Sequence, residues 1–370
     1  MKDWYTIQNI AELDSPALVI FPARVKENIR QLIAMTDGDL ARLRPHIKTH
    51  KSPDATRLLL AAGIYRFKCA TIAEAEMLAI EGAPDVLLAY QPLGPKLSRL
   101  AALIQKYPAT NFSCLVDNLT AAEAMGAVFS KAGLQTPVYI DLDLGMHRTG
   151  IAPGPAALHL YKEAASIKGI RPIGLHAYDG HIRDLDWTQR KKNCDEAFAA
   201  VKKLQGDIGR AGLPEPSIVA GGSPTFSIHC KRTDIECSPG TFIYWDKGYQ
   251  DLCPEQSFVP AALVVTRVVS LPGEGKLCLD LGHKSIGAEN ELTRRVYFLN
   301  APDLKVIGHS EEHLVVDAGK DHTYNIGDLF YGLPVHICPT IALYERAITI
   351  DNGLISGEWR NTARDRKINL

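Results

Sequence analysis

Arg44, His46 and Lys48 alternate with Leu43, Pro45 and Ile47, so an extended strand here sets three cationic-capable side chains on one face and ends at the lysine. Ser52 then reads as an N-cap, Pro53 as the first helical residue, and Ala55 to Ala62 as a helix closed by Gly63. Lys48 is thereby expected on a strand-to-helix connection, the edge where barrels and open α/β sheets build their active sites. A lysine beside a second positive charge gives up its proton more readily. The neutral amine attacks carbonyls, which points to Schiff-base chemistry. Spacing alone leaves a solvated basic loop as the alternative.

Two glycine-containing loops carry the complementary signal. Gly221-Gly222-Ser223-Pro224-Thr225 follows the apolar run Ile218 to Ala220, and Ser238-Pro239-Gly240-Thr241 follows a short strand ending near Cys237. Glycines let backbone amides approach an anion closely, and Ser223 and Thr225 add hydroxyl donors. Two ordinary turns would look the same, but a phosphate loop pair together with a strand-end lysine fits a phosphorylated aldehyde, of which pyridoxal phosphate is the common one. His336 and Cys338 are one residue apart and share a face on a strand, and imidazole with thiolate suits zinc. His181, in His176-Ala-Tyr-Asp-Gly-His181, is a candidate base, although a lone histidine is more often structural.

The elements that must position these groups alternate along the chain. After Ala17 to Phe21 and a helix from Pro22 to Met35 comes the lysine strand. Strands follow at Tyr65 to Ala70, Val86 to Tyr90, Phe112 to Val116, Val138 to Leu142, Ile173 to Tyr178 and Ser217 to Ala220, with a last short one before Cys237. Helices are expected from the capping box Thr71 to Glu74 through Glu81, at Pro95 to Tyr107, Leu119 to Ala132 and within Trp187 to Ala211. Counting from the lysine strand gives eight, a (β/α)8 barrel, with the glycine loops after strands seven and eight, where barrels hold phosphate. From Val259 the texture becomes β-rich, with turns at Pro272 to Gly275 and Ile326 to Asp328. The expected domains are a barrel over 13–250 and a β-rich domain over 251–370 joined by 1–12.

Composition narrows the class. A formal net charge of −1 gives no support to nucleic-acid binding through bulk electrostatics. No secretory signal is visible at the N-terminus, and no apolar run approaches a membrane span of ~20 residues, so a cytoplasmic enzyme is expected. Eight cysteines without a CxxC pair are neither a disulfide framework nor a zinc finger.

The run Arg44 to Lys51, with Asp141-Leu-Asp-Leu-Gly-Met-His-Arg148-Thr-Gly150, Gly221 to Thr225 and Pro334-Val-His-Ile-Cys-Pro339, resembles the D-threonine aldolase and D-serine dehydratase group of the alanine-racemase-like, fold type III pyridoxal-phosphate enzymes. The resemblance covers most of the chain in order. It implies a barrel whose leftover first strand, Ala17 to Phe21, belongs to the β-rich domain. It implies Lys48 as the cofactor lysine, Arg148 on the cofactor's phenolic oxygen, Tyr178 beside the pyridine nitrogen, Gly222, Ser223, Thr225, Gly240 and Thr241 around the phosphate, and zinc or manganese at His336 and Cys338. Relatives often carry a longer side chain where this sequence has Ser238, so that residue is left out of the expected set.

The same resemblance implies a lyase acting on D-3-hydroxy amino acids. The first expectation is an aldolase cleaving D-threonine to glycine and acetaldehyde. The second is a D-serine or D-threo-3-hydroxyaspartate dehydratase, favoured by the His-x-Cys spelling. A metal-indifferent racemase and a non-enzymatic cofactor-binding barrel are further alternatives, the latter opposed by the β-rich region. A homodimer is implied by the resemblance alone.

Overall fold

The computed structural model describes residues 3–370. The chain packs as two compact units: 1–31, 49–55 and 241–364 in one, 32–48, 56–240 and 365–370 in the other. The domains expected from sequence were 13–250 and 251–370 with 1–12. The difference at the amino end comes from one strand, β1 (Ala17–Ile20), which pairs antiparallel with β9 (Ala262–Gly273) and parallel with β15 (Arg346–Asp351). All four residues of β1 are buried, as a strand covered on both faces requires.

In the larger unit, β2 (Arg66–Cys69), β3 (Asp85–Leu88), β4 (Asn111–Val116), β5 (Thr136–Asp143), β6 (Ile170–Tyr178), β7 (Ser217–Ala220) and β8 (Glu236–Cys237) run parallel and neighbour one another in chain order. The eighth stave is Leu43 to His46. It is too irregular to count as a strand, yet Leu43 bridges Cys237 and His46 bridges Lys68, both in parallel. The Arg44 N–H donates to the Cys237 carbonyl and the Lys68 N–H to the Pro45 carbonyl, each at 2.9 Å. Pro45 has no N–H to give, which explains why this stave closes the barrel without a regular ladder.

Between strands run α2 (Pro53–Ala61), α3 (Ile72–Ile80), α4 (Pro95–Lys106), α5 (Leu119–Lys131), α6 (Pro155–Ser166) and α7 (Trp187–Arg210), after α1 (Pro22–Met35). Their starts obey local chemistry. The side chains of Thr71, Asn118 and Asp186 accept the N–H of the third residue onward, and proline opens α4 and α6. Leu87, Leu115, Tyr139 and Val219 form a core cluster contributed by four staves. Below them Arg44, 1 % exposed, pairs with Glu236 and Asp85 at 2.5 Å each. Arg44 is therefore a buried structural cation at the strands' amino ends, committed to Glu236 and Asp85.

The other unit is β-rich. β10 (Lys276–Leu279), β11 (Val296–Phe298), β12 (Lys305–His309), β13 (Leu314–Asp317), β14 (Leu329–Pro334) and β16 (Leu354–Arg360) join β1, β9 and β15 in a nine-stranded sheet. Val19, Leu263, Val265 and Leu333 lie in its core. Strands β12, β14, β15 and β16 escape the sequence reading; β12, β14 and β16 are each interrupted by a glycine. Three short helices complete the chain: α8 (Phe226–His229), α9 (Lys247–Leu252) and α10 (Ile337–Leu343). Among the described residues, no helix is long and apolar enough to cross a membrane.

Candidate active site

Lys48 lies in a 3₁₀ turn, Ile47–Thr49, just past the closing stave. That corrects the expected straight strand end, and it places the half-buried amine where the barrel's carboxyl ends open. Its Nζ is 5.8 Å from the ring centroid of Tyr178, the last residue of β6. The Arg148 guanidinium is 5.2 Å from the same ring and makes no ion pair among the described residues. The acids beside Arg148 in sequence are occupied elsewhere: Asp141 accepts from Thr149 at 2.9 Å and meets His176 at 2.7 Å, while Asp143 pairs with His147 at 2.9 Å. Arg148, Tyr178, Thr149, Asp141, Met146 and His176 line one pocket.

A third cation reaches Tyr178 that the sequence reading missed. Lys68 on β2, 2 % exposed, has its Nζ 5.7 Å from the ring and 3.3 Å from Nε2 of His176. Burial first and the positive charge of Lys48 second push its pKa down to about 7. The signal was present: a lysine in a strand whose neighbours are Phe67 and Cys69, at a register shared with the barrel interior. His176, two residues before Tyr178, lies on the same face of β6.

The two glycine loops meet. The Gly240 N–H donates to Oγ of Ser223 at 3.3 Å, and the Gly222 N–H donates to Thr225 Oγ1 at 3.4 Å. A Cβ at Gly222 would come within 2.9 Å of the Tyr178 ring, so glycine is needed for ring and loop to touch. Ser238, set aside at the sequence level, is 3 % exposed with a buried hydroxyl that has no partner. A bare buried hydroxyl costs about 1–3 kcal/mol unless something bonds it. A phosphate between the loops would do so, and three cations beside one ring would balance the cofactor's charges. The residues of the barrel therefore fit pyridoxal phosphate.

His181 is exposed and stands apart. It lines a different cleft, with Leu144, Arg183 and Asp184, and its Nε2 would be 3.2 Å from a Cβ at Gly145. The structure does not bring it into the pocket of Arg148 and Tyr178.

In the β-rich unit, His336 is not on a strand. β14 ends at Pro334, His336 caps α10, and Cys338 sits in its first turn. The pair nevertheless comes together. Burial lowers the His336 pKa, but a hydrogen bond to Cys338, its charge and those of Asp246 and Glu289 outweigh it and carry the pKa up to about 9. Thr49 Oγ1 is 3.2 Å and Thr241 Oγ1 3.9 Å from the Cys338 sulfur. Thr241, expected on the phosphate, thus has its hydroxyl against a thiol, while Thr49 immediately follows Lys48 in the chain. Imidazole, thiol and the Glu289 carboxylate on His336 Nδ1 are a donor set suited to a divalent cation.

A second group with metal-ligand chemistry lies in the barrel: Asp179, Cys194 and His229, all buried, with donor atoms within 4.8 Å of one another. Its atoms are already engaged. His229 Nε2 faces Asp179 at 2.8 Å and its Nδ1 meets an Arg232 N–H at 2.6 Å, while Thr225 donates to Asp179 at 2.7 Å. Burial and Asp179 push the Cys194 thiol up to about 12.

Barrel, β-rich unit and lysine-centred anion pocket together define an alanine-racemase-like, pyridoxal-phosphate-dependent lyase, with a divalent metal as second cofactor. Residues 20–247 match the alanine racemase N-terminal domain family, to which the chain belongs, and residues 261–350 match a putative serine dehydratase domain. The chain is 26% identical over 360 residues to a D-threonine aldolase of Arthrobacter sp., covering 96% of this chain and 94% of that one. It is 26% identical over 369 residues to a 3-hydroxy-D-aspartate aldolase of Paracoccus denitrificans, covering 96% and 93%. The crystal structure of a D-threonine aldolase from Filomicrobium marinum superposes with a TM-score of 0.88 at 25% identity, covering 96% and 97%.

Proposed function

We propose that this chain cleaves D-3-hydroxy amino acids in the manner of a D-threonine aldolase, releasing glycine and an aldehyde. The observation that carries the reading is the convergence of Lys48, Lys68 and Arg148 on Tyr178 beside the joined glycine loops. Support for the aldolase over the dehydratase comes from the two aldolases matched along nearly the whole chain.

Pyridoxal phosphate, when bound, supplies the electron sink that makes bonds to the substrate's Cα breakable. In this reading the amine of Lys48 would hold the cofactor. Ser223, Ser238 and the amides of Gly222 and Gly240 would hold the phosphate, Thr225 would brace its loop through Asp179, and Arg148 and Tyr178 would fix the ring. His336 and Cys338 hold a divalent cation, which favours substrates with a β-hydroxyl by lowering that group's pKa. A base taking the hydroxyl proton gives glycine and aldehyde; one taking the Cα proton lets the hydroxyl leave as water, and hydrolysis of the resulting enamine gives a keto acid and ammonia. Lys48, beside Tyr178, has more geometric support as the base than His181, whose imidazole faces another cleft.

Dehydration of D-serine or D-threo-3-hydroxyaspartate is the second reading, favoured by the serine dehydratase match over residues 261–350. Incubation with D-threonine, following acetaldehyde and 2-oxobutyrate together with and without chelator, separates the two. Keto acid without aldehyde would defeat the aldolase. A homodimer is part of the proposal, checked by light scattering at twice the chain mass.

A further inference from the structure

Lys68 is a buried cationic group that none of these steps uses. Among the described residues it pairs with no carboxylate, and its polar partner is His176. Asp141 is a carboxylate that accepts from His176 Nδ1–H at 2.7 Å, so Nε2 of the neutral imidazole accepts from Lys68 Nζ. Thr149 fixes the other oxygen of Asp141. Lys68, His176 and Asp141 are thus a wired row across β2, β6 and β5, and Asp141 and His176 open onto the pocket of Arg148 and Tyr178.

Lys48 and Arg44 disfavour its ammonium, and Asp141 and Asp179 favour it. The two arginine and lysine neighbours and deep burial prevail, which leaves the amine easily deprotonated in the cofactor-free chain. An anion arriving beside Tyr178 reverses that balance.

We propose that Lys68 is the buried counter-charge of the cofactor site: binding of anionic pyridoxal phosphate draws a proton from solvent onto Lys68 Nζ, and the His176–Asp141 pair holds the resulting ammonium in place. The inference rests on the cofactor placement proposed above. The proton comes from buffer and ends on nitrogen, and no bond other than N–H is made.

The test is calorimetric titration of the cofactor-free full chain with pyridoxal phosphate at pH 8, in buffers of different ionisation enthalpy, with the ~420 nm band of the lysine-bound cofactor recorded alongside. Wild type is expected to take up about one proton more than Lys68→Met, because a group of pKa near 7 is largely neutral at pH 8. Lys68→Met should also bind about 10-fold more weakly. Lys68→Arg, charged at all pH, should lose the uptake and keep affinity within about 3-fold. If Lys68→Met does not fold, the arginine variant decides by itself. Equal proton uptake in wild type and variants that do turn yellow would overturn the role of Lys68 alone. Failure of wild type to bind the cofactor would overturn the cofactor placement and this inference with it.

Discussion

The Thr225 hydroxyl donates to one oxygen of Asp179 at 2.7 Å, and the other oxygen of the same carboxylate meets His229 at 2.8 Å. Asp179 directly follows Tyr178, and Thr225 closes the first glycine loop, so a single buried side chain sets both the ring and the loop. Burial alone would raise the carboxyl's pKa, but the His229 charge and the bonds from His229 and Thr225 hold it below the usual range. Asp179→Asn, which cannot accept on both atoms, is expected to weaken pyridoxal-phosphate binding about 10-fold, equivalent to ~1.4 kcal/mol. Bound metal should be unchanged. Spectrophotometric cofactor titration and elemental analysis read the two effects separately.

Metal content distinguishes the two ligand groups. His336→Ala and Cys338→Ala are each expected to lose the bound divalent ion and about 100-fold or more in lyase rate. Cys194→Ser should retain both, because its thiol is protonated and Arg232 stands on the far side of His229. Metal lost from the serine variant instead would move the site into the barrel.

Lys48→Ala should be colourless after incubation with pyridoxal phosphate and give no borohydride-stable adduct. Mass spectrometry of the reduced, digested wild type should find the label at position 48. A label on Lys68 instead would reassign the attachment point.

Arg44 offers a stability test far from the chemistry. Arg44→Met strands Glu236 and Asp85 with a lost partner, although Arg66 still reaches Glu236 at 3.1 Å. Removing one member of a buried ion group costs about 3–5 kcal/mol, readable as a shifted denaturant midpoint. A midpoint unchanged within error would mean that the cluster is solvated.

Lys68 also sets a pH dependence in the cofactor-free chain. Its folded pKa of about 7 lies below that of an unfolded lysine, so between those values the unfolded chain binds more protons and stability rises with pH. The penalty is full below about pH 7, shrinks as pH rises above the folded pKa, and is gone once the unfolded lysine has also lost its proton. Lys68→Met removes it, so the variant should melt a few degrees above wild type at pH 6, with the gap closing toward pH 10. Thermal unfolding monitored by circular dichroism across that range decides it.

Much of this arrangement is legible before folding, for local reasons. The caps at Thr71, Asn118 and Asp186 and the prolines of α4 and α6 mark helix starts because they act within one turn of backbone. The alternation of strands and helices gives the barrel and its stave count, and glycine at 221, 222 and 240 marks where backbone must come close to something. His-x-Cys gives the right ligand chemistry in the wrong geometry, since Pro334 ends the strand and a helix begins at Ile337.

The residue types alone determined that Lys48 would stand at a barrel mouth with glycine loops one and two staves away, because periodicity and turn chemistry are properties of neighbouring residues. Only the tertiary structure decided which cations share a ring. Arg44, four residues from Lys48, is committed to Glu236 and Asp85, while Lys68, twenty residues on, stands beside Tyr178. Side-chain charge acts through space, and when a barrel closes, the neighbour that matters is on the adjacent stave.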